Sequence, residues 1–226
     1  MTRRTAEAVK LPYPDRETAG RVLAAELRRR FTAADGRLLL DEPLVMALPR
    51  GGVAVAREVA RELSAPLDVL VTRKIGYPDQ PELGVGAVAE GGEPVYDESL
   101  LRQLGLTVGD LEPVAEQERA ELARRVAVYR RGRPPPVVLG RSVIVVDDGL
   151  ATGATARAAL RALRAGGAAR TVLAVPVGSP GSAADLAAEA DDVVVLAVPQ
   201  AFRAVGEWYI SFGQLTDDDV LDALKR

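Results

Sequence analysis

The chain of 226 residues contains no cysteine and no histidine. Without cysteine there is no disulfide framework, no thiolate nucleophile and no Cys-held zinc. Without histidine there is no Ser-His-Asp triad, no His-ligated metal and no imidazole acid or base. Proton chemistry must then rest on Asp, Glu, Lys, Tyr or water. A metal would be held by oxygen, which suits Mg2+ or Ca2+. No apolar run approaches the roughly 18 residues of a membrane helix. The first residues carry positive charge but no apolar core, so they do not read as a signal peptide, and the cytoplasm is the expected compartment. A net charge of −3 speaks against a basic nucleic-acid-binding domain. Lysine is also scarce: it occurs only at Lys10, Lys74 and Lys225. Lys74 therefore stands alone away from the termini.

What is present is enough for a packed core. The apolar fraction is 48%, and the length suits one domain over residues 1–226. Residues 1–14 read as an N-terminal arm, 97–136 as a helical insertion and 199–226 as a C-terminal cap. Asp15 opens a helix with Val22, Leu23, Leu27 and Phe31 as its apolar positions. Arg28, Arg29 and Arg30 suit the negative end of its dipole. Leu44–Leu48 is a short continuous apolar run, as in a buried parallel strand. A helix over Gly51–Leu63 and a strand over Leu67–Val71 follow. The glycine- and proline-rich stretch Arg73–Gly92 reads as a long loop with a short strand around Val85–Val88, and loops of that length are usually lids or binding elements. Helices are expected at Asp97–Leu104 and Leu111–Tyr129, then a stiff break at Arg133–Pro136. Strands at Val143–Val146, Val172–Val175 and Val193–Val198 alternate with helices at Ala154–Ala165 and Ala183–Ala190. Thr216 caps the last helix, whose first-turn acids Asp217, Asp218 and Asp219 suit the dipole better than a metal. This alternation implies an α/β fold with a doubly wound, mostly parallel sheet.

The most informative segment runs from Val143 to Thr155. A β-branched strand ends in Asp147-Asp148, a small hydroxyl-bearing loop follows, and a helix begins. Ligands of open α/β sheets bind beyond the carboxyl ends of strands. A Gly/Thr loop at a helix N-terminus offers N–H groups and a positive dipole end to an anion. An ordinary strand-loop-helix turn with an acidic cap is the plainer reading. The segment resembles the phosphoribosyl pyrophosphate (PRPP) signature of the type I phosphoribosyltransferases. The resemblance implies their fold with hood additions, PRPP as substrate and Mg2+ as cofactor. It implies that Asp147 and Asp148 face the ribose hydroxyls and take part in holding the metal. It also implies that Leu150, Ala151, Thr152, Gly153, Ala154 and Thr155 hold the 5′-phosphate.

Three further segments extend the resemblance. Leu48-Pro49-Arg50-Gly51-Gly52-Val53 fits a pyrophosphate loop, with a cis peptide expected at Arg50–Gly51. Taken alone, Arg50, Gly51 and Gly52 would read as a plain turn. Arg73 and Lys74 follow the second strand, where related transferases carry a basic pair that binds pyrophosphate. Arg73–Gly76, Pro81–Leu83, Gly86–Val88 and Phe202–Tyr209 are similar to a bacterial group of phosphoribosyltransferases of unassigned acceptor.

The acceptor stays open. In 6-oxopurine transferases an Asp precedes the Thr-Gly of the signature; here that position is Ala151. Adenine transferases tolerate alanine and use a loop glutamate, so Glu82 is the candidate and Glu90 its competitor. Aromatics are only 4% of the chain, yet Phe202, Trp208, Tyr209 and Phe212 cluster. They could stack a base or pack the sheet end or a dimer contact. The Leu111–Tyr129 helix could form a hood or a homodimer surface, while Arg124, Arg125, Arg130 and Arg131 read as a solvated face. The expected activity is transfer of phosphoribose from PRPP to a small-molecule nitrogen acceptor, with a nucleotide-sensing regulator without turnover as the alternative.

Overall fold

The computed structural model describes residues 10–225. Residues 1–9 of the expected arm lie outside the described residues. Helix α1 covers Arg16–Arg30, and Asp15 caps it by accepting a hydrogen bond from the Thr18 N–H at 2.7 Å. Five parallel strands form the main sheet: β1 (Leu44–Ala47), β2 (Leu67–Val69), β6 (Ser142–Val146), β7 (Arg170–Val177) and β8 (Asp192–Ala197), in the order β2-β1-β6-β7-β8. Strands β3 to β5 form a second, three-stranded sheet.

Alternation along the strands gives the sheet two apolar faces. Val45, Ala47, Ile144, Val146, Val172 and Ala174 pack with α1, with α2 (Gly52–Leu63) and with α7 (Asp217–Ala223). Leu44, Met46, Val143, Val145, Leu173 and Val175 pack with α5 (Ala154–Ala165) on the other face. The doubly wound architecture expected from the sequence is therefore present. Thr216 and Asp219 close a reciprocal capping box on α7. No helix among the described residues is long and apolar enough to cross a membrane.

The segment Arg73–Gly92 corrects the sequence reading. It is a hairpin of β3 (Thr72–Tyr77) and β4 (Gln80–Ala89), joined by β5 (Val95–Tyr96) into an antiparallel sheet. Its glycines serve close approach. A β-carbon on Gly76 would lie 2.4 Å from the Pro81 carbonyl oxygen, and one on Gly86 would lie 2.6 Å from that of Val95. Ala87 and Ala89 of β4 pack against Ala158 of α5, where small side chains let strand and helix meet. Ile75 and Val85 pack under Leu101 of α3 (Glu98–Leu104) and Ala115 of α4 (Glu112–Arg130).

Arg130 is a second correction. It is buried, not solvated. It donates to Asp68 at 2.5 Å, to both oxygens of Glu90 at 3.0 Å and to the Val69 carbonyl at 2.8 Å. One guanidinium thus ties α4 to β2 of the main sheet and to the turn after β4. The expected exposure of Arg124 holds: it pairs with Glu121 on the outer face of α4.

Candidate functional site

Strands β1 and β6 run side by side and end together, with Ala47 opposite Val146. Their following loops therefore leave the sheet in contact. The Leu48 N–H donates to the Val146 carbonyl at 2.9 Å. The loop after β1 carries a cis peptide at Pro49–Arg50, one bond earlier than the expected Arg50–Gly51. Gly51 and Gly52 lie directly against the acid pair. A β-carbon on Gly52 would meet the Val146 carbonyl at 2.6 Å and the Asp147 Cα at 2.9 Å. The glycine motif and the acidic motif are thus two halves of one packed surface.

Each carboxylate has one oxygen fixed by the protein. Asp147 Oδ1 accepts the Asp148 N–H at 2.8 Å. Asp148 Oδ2 accepts the Arg16 Nε–H, also at 2.8 Å. The two carboxyl side chains also hydrogen-bond each other, and among the described residues no other group donates to Asp147 Oδ2 or Asp148 Oδ1. Burial raises the Asp147 carboxyl well above the usual range, and the neighbouring Asp148 charge raises it further. Burial also raises Asp148, with Arg16 pulling in the opposite direction.

The next loop leads into α5. Leu150 is anchored between strands: its N–H donates to the Val177 carbonyl, and its carbonyl accepts from the Ser179 N–H, each at 2.9 Å. The Ser179 and Ser182 hydroxyls both donate to the Ala151 carbonyl. Gly153 turns the chain at φ 77°, and no side chain caps α5. Ala151 and Thr152 are exposed, while Ala154 and Thr155 are half-buried. The first-turn N–H groups of α5 thus open beside the acid pair.

This combination of an acid pair, a glycine loop and an uncapped helix start is matched over residues 19–205 by the family model described as the phosphoribosyl transferase domain. The chain belongs to the phosphoribosyl transferase family. It is 46% identical over 214 residues to the Mycobacterium tuberculosis protein named "Putative phosphoribosyl transferase Rv0571c", covering 95% of this chain and 46% of that protein. The chain therefore spans about half the length of the curated relatives it matches. It is also similar to the crystal structure of TT1426 from Thermus thermophilus, with a TM-score of 0.76 and 46% identity, covering 95% of this chain and 98% of that one. The AQ2163 protein of Aquifex aeolicus shares the fold at 14% identity and a TM-score of 0.50, over 81% of this chain and 74% of that one.

Within this phosphoribosyl transferase fold the sequence-expected site residues divide into two groups. Arg50, Gly51, Gly52, Asp147, Asp148 and the Leu150–Thr155 loop lie where β1 and β6 end. Arg50 is a partly exposed cation whose recorded ion pair is a long 4.0 Å contact to Asp217. Arg73, Lys74 and Glu82 line a separate cavity of about 500 Å³ between the hairpin and α4. There Arg73 donates to Glu118 at 2.6 Å, and Lys74 donates to the Glu82 carbonyl at 2.9 Å. Glu82 itself is 96% exposed, whereas its competitor Glu90 is held by Arg130.

One residue beside the acid pair, Arg16, was not anticipated, and Tyr209, named in the aromatic cluster, meets the pair there as well. Arg16, in the first turn of α1, binds Asp148, donates to the Gly213 carbonyl at 2.8 Å and stacks over the Phe212 ring at 3.8 Å. The signal was available, because a cation in the first turn opposes the helix dipole. Tyr209 donates its hydroxyl to the Asp148 carbonyl at 2.5 Å and packs against Tyr13 and Phe212. Burial and the Asp148 charge both push the Tyr209 hydroxyl pKa up. The aromatic cluster thus packs against the end of the sheet, as one of its two sequence readings held, and it does so against the acid pair.

The donor set fits Mg2+ only as a shared ligand. Among the described residues no group of three or more acids gathers into a protein cage. Mg2+ is commonly held by one or two carboxylates together with waters and substrate phosphates. The carboxyls of Asp147 and Asp148 would meet that requirement with a phosphate-bearing ligand supplying the rest.

Proposed function

We propose that this chain transfers the 5-phosphoribosyl group of PRPP to a nitrogen acceptor of the nucleobase class, in the cytoplasm, releasing pyrophosphate. The observation that carries the reading is the Asp147–Asp148 carboxyl pair, to whose second oxygens no other described residue donates, set between the Gly51-Gly52 loop and the open start of α5. Two adjacent acceptors suit the cis-diol of a ribose. The backbone N–H groups from Ala151 to Thr155, with the Thr152 and Thr155 hydroxyls, suit its 5′-phosphate.

In the proposed reaction the acceptor nitrogen attacks C1 and the C1–O bond to pyrophosphate breaks, with inversion. Positive charge develops on the ribose ring at the transition state. Asp147 and Asp148 hold the ribose and place carboxylate charge near that ring. Arg50 and the loop N–H groups receive the leaving group, joined by Arg73 and Lys74 when these exchange their Glu118 and Glu82 contacts for pyrophosphate. Mg2+, when bound, neutralises pyrophosphate charge. Glu82, exposed on the hairpin, is the carboxylate proposed to take the acceptor proton, because Glu90 is engaged by Arg130. Ala151 gives the site no acid in the position that 6-oxopurine transferases use, so the proposed acceptor is not of that class.

The test is a ¹H and ³¹P NMR screen of PRPP and Mg2+ with pooled nucleobases. Pyrophosphate released with one pool only supports the transferase. PRPP binding with no release in any pool identifies a sensor on the same fold.

A further inference from the structure

We infer that Arg16 is a positioning residue that aims Asp148 at a ribose hydroxyl and so sets the preference of the site for a hydroxylated sugar. The inference rests on the reading of the acid pair given above. The place of Arg16 has no explanation within α1. It sits in the first turn, where a cation is disfavoured by the helix dipole. Its side chain is nevertheless only 9% exposed and makes three contacts, none of them to its own helix.

Those contacts fix the guanidinium in position and plane. Its Nε–H holds Oδ2 of Asp148, its Nη1 donates to the Gly213 carbonyl, and its face lies on Phe212. The bond to Oδ2 decides which way the other oxygen points. A carboxylate turns easily about its last torsion, which is broad and nearly two-fold. With Oδ2 pinned, Oδ1 has one direction. Tyr209 holds the backbone of the same residue through the Asp148 carbonyl. Side chain and main chain of Asp148 are thus gripped from α1 and from the segment Tyr209–Gly213, which sequence separation hides. Asp147 needs no such partner, since the Asp148 N–H already fixes its Oδ1.

A site that bonds a hydroxyl discriminates against the analogue lacking it, because its polar groups are then left unpaired. Loss of Arg16 therefore removes discrimination, not binding in general. A tie that merely held α1 to the C-terminal segment would act on all ligands alike.

The experiment is calorimetric titration of the full chain, in Mg2+ buffer, with PRPP and with its 2-deoxy and 3-deoxy analogues. The wild-type chain is expected to favour PRPP over at least one analogue by about tenfold or more, the scale of a hydrogen bond to a charged group. Arg16→Met is expected to bind PRPP about tenfold more weakly and that analogue almost unchanged. Arg16→Lys, which retains a cation for Asp148, should keep part of the preference, and it replaces the Met variant if that variant does not fold. Adding Arg16→Met to Asp148→Asn should cost little further, because the two act through one contact. Equal weakening of all three ligands, or none of any, overturns the inference. Failure of the wild-type chain to bind PRPP overturns the functional reading as well, and is distinguished by needing no variant.

Discussion

Gly51 and Asp148 touch across two loops: a β-carbon added to Gly51 would fall 2.0 Å from Oδ2 of Asp148. That oxygen is already held by Arg16, so the carboxylate has no free direction in which to retreat. Gly51→Ala should therefore displace Asp148. Such overpacking typically costs about 1–3 kcal/mol. The expected outcome is a loss of PRPP affinity of more than about tenfold, with a folded chain by circular dichroism. Unchanged affinity would separate the glycine loop from the acid pair.

The acid pair should oppose stability while serving binding. The Asp147 carboxyl is raised by burial and by Asp148. A carboxyl whose folded pKa exceeds its unfolded value favours folding below the unfolded value, and that contribution is lost as pH rises through the folded one. Asp147→Asn removes the charge while its carbonyl can still accept the Asp148 N–H. The variant should melt at a higher temperature than the wild-type chain at pH 8, with the gap narrowing toward pH 4 and PRPP binding weakened. A gap that widens on acidification would reverse the sign and refute the account of the pair.

Arg130 should be among the residues whose loss is felt most by the fold. Its replacement leaves Asp68 and Glu90 as poorly solvated acids with no cation. Breaking a buried ion pair on one side typically costs about 3–5 kcal/mol. Arg130→Met should lower the urea midpoint accordingly. A midpoint within error of the wild-type value would mean that the network contributes nothing.

The hairpin should behave as structure. Amide exchange at Val85–Ala89, where β4 is buried and paired with β3, should be slow and close to that of β6. Exchange as fast as at an open loop would restore the lid reading of the sequence.

The parts of the fold legible in the sequence are those with short-range logic. Leu44–Ala47 and Val143–Val146 are continuous apolar runs because both faces of the sheet are covered, and α7 begins where Thr216 and its acids say it should. The acid pair and the glycine loop were legible because their chemistry lies in consecutive residues. The hairpin was hidden because Gly76 and Gly86 look like freedom, whereas neighbouring backbone approaches them too closely for a side chain. Arg130 was hidden because it shares a helix end with exposed arginines and finds its acids in distant strands. Arg16 was hidden because its partner is 132 residues away, although its misfit in the first turn of α1 pointed to one.

The most direct measurement is a calorimetric titration of the chain with PRPP in Mg2+ buffer, beside the double variant Asp147→Asn with Asp148→Asn. The account predicts saturable binding by the wild-type chain and a loss of more than about a hundredfold in the double variant, as two charge-assisted contacts disappear. Equal affinity in both proteins, or no binding by either, would contradict it.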